Sequence, residues 1–172
     1  MKIAIIDCGT NTFNLLIRSQ AENSTLYNTK IPVRLAEGAG DELIISEAAL
    51  DRALEALASH KAKAIEWKVD ALYTVATAAV RTAPNGPDLL RRAEQELGIK
   101  VNVIDGDTEA KLIYEGVKQG IEFKNAPSLI MDIGGGSTEF ILLRNKQAVW
   151  KASYALGSSV MLNRFRPADP IL

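Results

Sequence analysis

The segment IAIIDCGTNT at residues 3–12 and the segment LIMDIGGGST at residues 129–138 follow one plan. Each begins with a short apolar run, continues as Asp-x-Gly-x-x-Ser/Thr and leads into a second apolar run. A short apolar run bounded by turn residues is typical of a buried strand, and a Gly-rich polar stretch is typical of a tight turn. The repeat therefore predicts two matching hairpins, on two domains, that face each other across a cleft.

Strands and helices alternate along the rest of the chain, which predicts an α/β fold. Residues 71–76 form an apolar run that predicts a buried strand. Residues 26–35 are a weaker candidate for a strand, and Pro32 within them indicates a position at the sheet edge. Three helices are expected: one capped by Ser46, one from Pro87 to Leu97 before Gly98, and one capped by Asp107 and closed by Gly120.

The polar connection at residues 122–127 is the predicted boundary between two domains. We expect residues 1–125 to form the first domain and residues 126–172 to form the opening β-meander of a second. Three strands and one short helix are few elements for a complete domain. We therefore expect this second domain to be cut short or to be completed by residues outside the chain.

The composition is that of a soluble globular protein and excludes several other classes. The chain has 172 residues, 47% of them hydrophobic, with 20 basic and 21 acidic side chains and a net charge of −1. It is therefore neither disordered nor a disulfide-stapled mini-protein, and its one cysteine suits the cytoplasm. The near-zero charge predicts no nucleic-acid partner, and the absence of a long apolar run predicts no membrane partner.

The residue types in the two turns suit phosphate binding. Glycine lets the backbone approach an anion closely, and Ser or Thr adds a hydroxyl donor. Asp7 and Asp132, at the ends of their strands, offer hard oxygen ligands for Mg²⁺. No Walker A lysine motif occurs in the chain. Either turn alone is equally consistent with an ordinary hairpin, whereas the pair favours phosphate binding.

Two more charged residues have both functional and ordinary interpretations. Arg81 follows the strand at residues 71–76 at the carboxyl end, where α/β sheets bind ligands, but it is equally consistent with a surface side chain. Glu109 lies near the start of the third predicted helix, where it is either a general base or an acidic residue favoured by the helix dipole. From the residues alone, the ordinary interpretation of Glu109 is favoured.

Five ordered segments of the chain resemble the exopolyphosphatase and guanosine pentaphosphate phosphatase family, within the actin-like ATPase superfamily. The second Gly-rich turn, DIGGGSTE, gives the strongest resemblance, and the five together span essentially the whole chain. The segments are IDCGTNTF at residues 6–13, VRLAEG at 33–38, ATAAVR at 76–81, IDGDTEA at 104–110 and DIGGGSTE at 132–139.

The resemblance implies a ribonuclease-H-like (actin-like ATPase) domain with a mixed sheet and flanking helices, followed by the start of a second similar domain. It also implies a Mg²⁺-dependent phosphohydrolase acting on the terminal phosphoanhydride of inorganic polyphosphate or guanosine pentaphosphate. It leaves open whether the protein forms a homodimer.

Residue roles carried over from the family turn Glu109 and Arg81 into functional candidates. Glu109 matches the base that activates water, and Arg81 matches the arginine that grips a phosphate. Asp132, Glu139 and, by the repeat, Asp7 are the candidate magnesium ligands. The candidate phosphate-binding residues are Gly9, Thr10, Asn11 and Thr12 in the first loop and Gly134, Gly135, Gly136, Ser137 and Thr138 in the second.

The chain departs from the family pattern at a few positions, which keeps alternatives open. Thr108 stands where the family has the first glutamate of a pair, and Asn14 stands where several members carry a basic residue. These departures affect the identity of the substrate more than the reaction. An ATP-using kinase or ATPase of the same superfamily and a non-catalytic polyphosphate or alarmone sensor therefore remain alternatives.

Overall fold

The computed structural model describes residues 1–39 and 42–166 in two compact units. The first unit is Met1–Val103, and the second begins at Ile104. Residues 167–172 of the predicted second domain lie outside the described residues. Within the described residues, no helix is both long enough and apolar enough to cross a membrane.

The first unit is built on a mixed five-stranded sheet. Its strands are β1 (Lys2–Cys8), β2 (Thr12–Ser19), β3 (Ser24–Pro32), β4 (Ala71–Ala76) and β5 (Asn102–Val103). They lie in the order β3-β2-β1-β4-β5. The pairs β1–β2 and β2–β3 are antiparallel, whereas β1–β4 and β4–β5 are parallel. The mixed sheet and the edge position of β3 are therefore confirmed.

Helix α1 (Glu47–Glu66) covers one face of this sheet. The burial of β1 and β2 alternates residue by residue, because successive side chains of a strand point to opposite faces. Burying a side chain as large as Phe13 or Leu15 contributes about 1.5–3 kcal/mol. The buried side chains of the sheet that share this core are Ala4, Ile6, Cys8, Phe13, Leu15, Ile17 and Ala76.

Two helix boundaries follow the expected capping signals. The Ser46 hydroxyl accepts a hydrogen bond of 3.3 Å from the Ala49 amide and so caps α1. Gly98, with a φ of 61°, ends helix α3 (Gly86–Leu97) in the left-handed conformation that favours glycine. The five-residue helix α2 (Ala78–Thr82) was not expected from the sequence.

His60 on α1 is buried, and its Nε2 lies 3.0 Å from the carbonyl oxygen of Phe13. Burial lowers the pKa of this imidazole, and the contact with the carbonyl oxygen opposes that shift. The unfolded chain therefore binds a proton at His60 more readily than the folded chain does.

We expect the free energy of unfolding to decrease as the pH falls below about 6.5, the ordinary pKa of histidine. Urea unfolding at pH 7.5 and pH 5.5 checks this in the wild type and in His60→Gln, which keeps a donor for the carbonyl. The chain has one histidine, so the variant isolates its effect from that of the carboxylates. An equal decrease in the free energy of unfolding in both proteins would show that His60 is not the group responsible.

The second unit has an antiparallel sheet in the order β6-β7-β8, formed by β6 (Ser128–Ile133), β7 (Thr138–Arg144) and β8 (Gln147–Tyr154). Helix α4 (Gly106–Gly120) packs on β7 and β8. Helix α5 (Ser158–Phe165) follows β8. Ala110 of α4 and Ile141 and Leu143 of β7 form the buried core of this unit.

The start of α4 differs from the expectation. Asp105, not Asp107, is the N-cap, because the Asp105 carboxylate accepts a 2.7 Å hydrogen bond from the Thr108 amide. Asp107 lies in the first turn, where its carboxylate is 3.5 Å from the ammonium group of Lys151 on β8. Helix α4 therefore belongs to the second compact unit, because it packs on β7 and β8. The domain boundary expected between residues 125 and 126 stays a prediction.

Candidate functional site

The first Gly-rich loop, Gly9–Thr12, joins β1 to β2 and is closed by its own backbone. The Gly9 amide donates to the Thr12 carbonyl oxygen at 3.1 Å. Residues 33–35, which follow β3, hold the loop from the side. The amides of residues 33 and 34 donate to the Asn11 carbonyl at 2.8 and 3.0 Å, and the amide of residue 35 donates to the Thr10 carbonyl at 2.8 Å.

The second Gly-rich loop, Gly134–Ser137, joins β6 to β7 and repeats the closing hydrogen bond. The Gly134 amide donates to the Ser137 carbonyl oxygen at 2.9 Å. The segment that follows β8 holds the loop, because the amides of Ser158 and Ser159 donate to the carbonyls of Gly134 and Gly135, each at 2.9 Å. The repeat seen in the sequence is therefore also a repeat of backbone hydrogen bonding.

The engaged carbonyls have an electrostatic consequence. A carbonyl oxygen that accepts a hydrogen bond from the protein presents less negative charge to a nearby anion. Both loops have two consecutive carbonyls engaged in this way, at residues 10 and 11 and at residues 134 and 135. Loops of this kind suit anions, which bind through backbone N–H groups.

Arg52 on α1 supports the segment behind the first loop. Its Nε donates to the Val33 carbonyl at 3.1 Å, and its guanidinium lies 2.8 Å from the carboxylate of Glu37. Arg34 has a φ of 48°, and this left-handed conformation accompanies the donation of two successive amides to one carbonyl. The VRLAEG segment at residues 33–38 thus has a supporting role.

The candidate acidic residues lie beside the two loops. Asp7 is directly across from Asn14 in the β1–β2 pair, and the Asn14 amide donates to its carboxylate at 3.3 Å. Asp132 is directly across from Glu139 in the β6–β7 pair. Glu139 is 2% exposed and accepts a 2.7 Å hydrogen bond from the Ser153 hydroxyl, whereas Asp132 is exposed. The structure therefore brings Asp132 and Glu139 together.

Arg81 and Glu109 lie on helices of different units. Arg81 is in the last turn of α2, and the Thr77 amide just before α2 donates to the carbonyl of Cys8, the residue that precedes the first loop. Glu109 is in the first turn of α4, and its amide donates to the carbonyl of Asp105 at 2.9 Å. Both side chains are half-buried.

A family model described as Ppx/GppA phosphatase family matches residues 16–172. The chain belongs to the Ppx/GppA phosphatase family. It is 36% identical, over 164 residues, to a guanosine-5'-triphosphate,3'-diphosphate pyrophosphatase of Pseudoalteromonas translucida (strain TAC 125). That match covers 94% of this chain and 33% of the relative, so the chain spans a third of the relative's length.

Solved structures place the fold in the same family. An exopolyphosphatase from Cytophaga hutchinsonii is 40% identical with a TM-score of 0.95, and the match covers 100% of this chain and 56% of the other. The Ppx/GppA enzyme of Aquifex aeolicus is 26% identical with a TM-score of 0.75, over 91% of this chain and 53% of the other. The chain therefore spans about half the length of these solved relatives.

The donor set of the Ppx/GppA chain fits a cation that is shared with a substrate. Among the residues described, no three His, Cys, Asp or Glu side chains come together to hold a metal ion. Mg²⁺ is usually bound by one or two carboxylates together with phosphate oxygens and water. Asp132, which is exposed, and its neighbour Glu139 match that requirement.

Cys8 precedes the first loop but is not a nucleophile. Its side chain is buried, and burial, together with the nearby Asp7 carboxylate, raises the pKa of the thiol well above its ordinary value. The thiol is therefore protonated at neutral pH and unreactive.

Two supporting residues were absent from the candidates drawn from the sequence. Asn85 holds the chain just before α1, because its side-chain amide accepts from the Ile45 amide at 3.0 Å and donates to the Ile45 carbonyl at 2.8 Å. Gly157 lies directly against the second loop. The small-residue run at residues 157–159 was the available signal for Gly157.

Proposed function

We propose that the protein is a phosphohydrolase that releases the terminal phosphate of inorganic polyphosphate or of guanosine pentaphosphate. The observation that carries the proposal is the pair of Gly-rich loops, which share one pattern of backbone closure and are each held by amides of a later segment. The relatives support the choice of substrates, because one is named as a guanosine pentaphosphate pyrophosphatase and another as an exopolyphosphatase.

In this proposal the two loops bind phosphoryl oxygens through backbone N–H groups and the hydroxyls of Thr10 and Ser137. Arg81 neutralises charge on a bound phosphate, since a guanidinium pairs well with phosphate oxygens. Glu109 takes a proton from the attacking water. Hydrolysis of a phosphoanhydride needs this positioning and charge neutralisation more than covalent help from the protein.

Mg²⁺ is part of the proposal, with Asp132 and Glu139 as the residues that would hold it. When bound, it would neutralise the charge that develops on the phosphate oxygens. The hydrogen bond from the Ser153 hydroxyl fixes the position of one oxygen of Glu139. Asp7, hydrogen-bonded to Asn14, remains a candidate ligand in the first unit.

Orthophosphate release tests the proposal. The purified chain is incubated with long-chain polyphosphate or guanosine pentaphosphate, with Mg²⁺ and then with a chelator added. We expect release that stops with the chelator, and the faster substrate identifies the main activity. Binding of either compound without release would favour the sensor, and tight binding of ATP without polyphosphate hydrolysis would favour a kinase or ATPase.

A further inference from the structure

The backbone of Gly157 lies so close to the second loop that no larger residue fits there. A Cβ atom added to Gly157 would lie 2.3 Å from the carbonyl carbon and oxygen of Gly135 and 2.4 Å from the Gly136 nitrogen. These are backbone atoms and cannot rotate away as the end of a side chain can. The φ of Gly157 is −78°, so the requirement for glycine is one of space and not of conformation.

The turn that contains Gly157 is bonded to the second loop at both ends. On one side, the Thr138 hydroxyl donates to the Leu156 carbonyl at 2.8 Å. On the other, the amides of Ser158 and Ser159 donate to the loop carbonyls. The close approach that Gly157 permits is therefore what brings these donors within reach of the loop.

The first turn of α5 is used for this contact. The first N–H groups of a helix have no acceptor within the helix and need one elsewhere. In α5, the amides of residues 158–160 find that acceptor in the carbonyls of Gly134 and Gly135. The N-terminal N–H groups of α5 therefore bind the second loop.

The first loop also receives backbone bonds from a segment that follows the third strand of its sheet, here residues 33–35 after β3. The carbonyls engaged are those of residues 10 and 11, one position further along the aligned loop than Gly134 and Gly135. Each loop is therefore held by amides of a later segment, although the individual bonds differ.

We propose that Gly157 is a positioning residue for the second loop and sets the placement of its phosphate-binding amides. The inference rests on the proposed function for its effect on turnover. A displacement of about 1 Å in a catalytic site can cost about 100-fold in rate. Displacing the loop should therefore impair phosphate binding and turnover without removing any group that touches the substrate.

Gly157→Ala tests this inference against Gly116→Ala. Gly116 is in α4 of the same unit, and a Cβ there meets nothing within 4 Å, so it is a matched control. We expect a fall of about 100-fold in kcat/KM for tripolyphosphate in Gly157→Ala, with an increased KM, and no fall in Gly116→Ala. If Gly157→Ala only reduced the amount of folded protein, the apparent kcat would fall and KM would stay unchanged. That result would overturn the inference, because the folded fraction would then bind substrate normally.

A second pair of variants covers the case in which Gly157→Ala does not fold. Ser158 is the first residue of α5, where proline is compatible with a helix, and the ψ of 159° at Gly157 suits a residue before proline. Ser158→Pro removes the amide that donates to the Gly134 carbonyl, whereas Ser158→Ala keeps it. Both variants lack the Ser158 hydroxyl, which donates to the same carbonyl at 3.3 Å, so the comparison isolates the amide. We expect the KM of Ser158→Pro to exceed that of Ser158→Ala. Equal kinetics in the two variants would overturn the inference.

Binding and spectroscopy separate this inference from the proposed function. If the wild type neither binds nor hydrolyses tripolyphosphate, long-chain polyphosphate or guanosine pentaphosphate, the proposed function fails. The positioning of the loop is then judged from amide chemical shifts in ¹⁵N–¹H NMR spectra. Shifts at Gly135 and Gly136 in Gly157→Ala, absent in Gly116→Ala, would support the positioning role. Unchanged shifts at both residues would overturn it.

Discussion

Replacing Gly86 with alanine should lower the thermal unfolding midpoint more than the same change at Gly9, Gly38 or Gly98, the other glycines that the structure describes in the first unit. A Cβ atom at Gly86 would lie 2.1 Å from the Val80 carbonyl oxygen and 3.0 Å from its carbon. Helices α2 and α3 would have to separate at their junction. Overpacking of this kind costs about 3 kcal/mol, at the upper end of its usual range.

The displacement would also affect the neighbouring contact. Asn85 holds the Ile45 backbone by two hydrogen bonds, and a shift of the start of α3 would break them. For a chain of this size, about 3 kcal/mol corresponds to a decrease of roughly 6–12 °C in the midpoint. Differential scanning calorimetry measures it.

Gly116→Ala is again the matched control. It adds the same methyl group inside a helix, where a Cβ meets open space, and alanine is favoured over glycine there by about 0.5–1 kcal/mol. We expect its midpoint to equal or exceed that of the wild type. Equal midpoints for Gly86→Ala and Gly116→Ala would show that the α2–α3 junction is not as close as described.

Replacing Glu109 with glutamine should reduce orthophosphate release by about 10²–10⁴-fold, the usual contribution of a general base. Glutamine has the shape of glutamate but cannot accept the proton of the attacking water. Glu109 is in the first turn of α4, where Asp105 supplies the cap, so the helix should persist without its charge. The measurement is steady-state release from polyphosphate, together with the unfolding midpoint.

Glu115→Gln is the control for the loss of charge on the same helix. Glu115 is half exposed and pairs with Lys118 at 3.2 Å, a surface ion pair that contributes little to stability. We expect Glu115→Gln to retain wild-type turnover. If Glu109→Gln also retained full turnover, Glu109 would not be the base, whatever the substrate.

The repeated hairpins and the main helices could be predicted from local patterns. Short apolar runs bounded by turn residues indicate β1 and β2, and Ser46 and Gly98 mark helix ends by their own capping chemistry. Helix α2 could not be predicted in this way. It has five residues, its N-cap Thr77 makes no side-chain capping bond, and one helical turn has too little length to show a period.

The start of α4 shows the limit of reading caps from the sequence. Asp105 and Asp107 are both good N-cap residue types, two positions apart, so local preference does not choose between them. The choice depends on the extended backbone of Asp105 and on the contact between Asp107 and Lys151, which lies on another strand. Tertiary contacts of this kind have no local signal.

The loops themselves could be predicted as candidates, but their support could not. Carbonyls of residues 10 and 11 are held by residues 33–35, and those of residues 134 and 135 by residues 158–160. These bonds join segments that are far apart in the sequence and use backbone atoms, which every residue type provides. The sequence therefore gives no signal for these backbone hydrogen bonds, apart from the glycine that close packing requires at position 157.

Hydrogen–deuterium exchange with and without tripolyphosphate, in the presence of Mg²⁺, tests the central claim most directly. The claim is that both Gly-rich loops bind phosphate. We predict that tripolyphosphate slows exchange in peptides covering residues 9–12 and residues 134–138 alike. Slower exchange in only one of these peptides, or in neither, would contradict the claim that the two loops act as a pair of phosphate-binding elements.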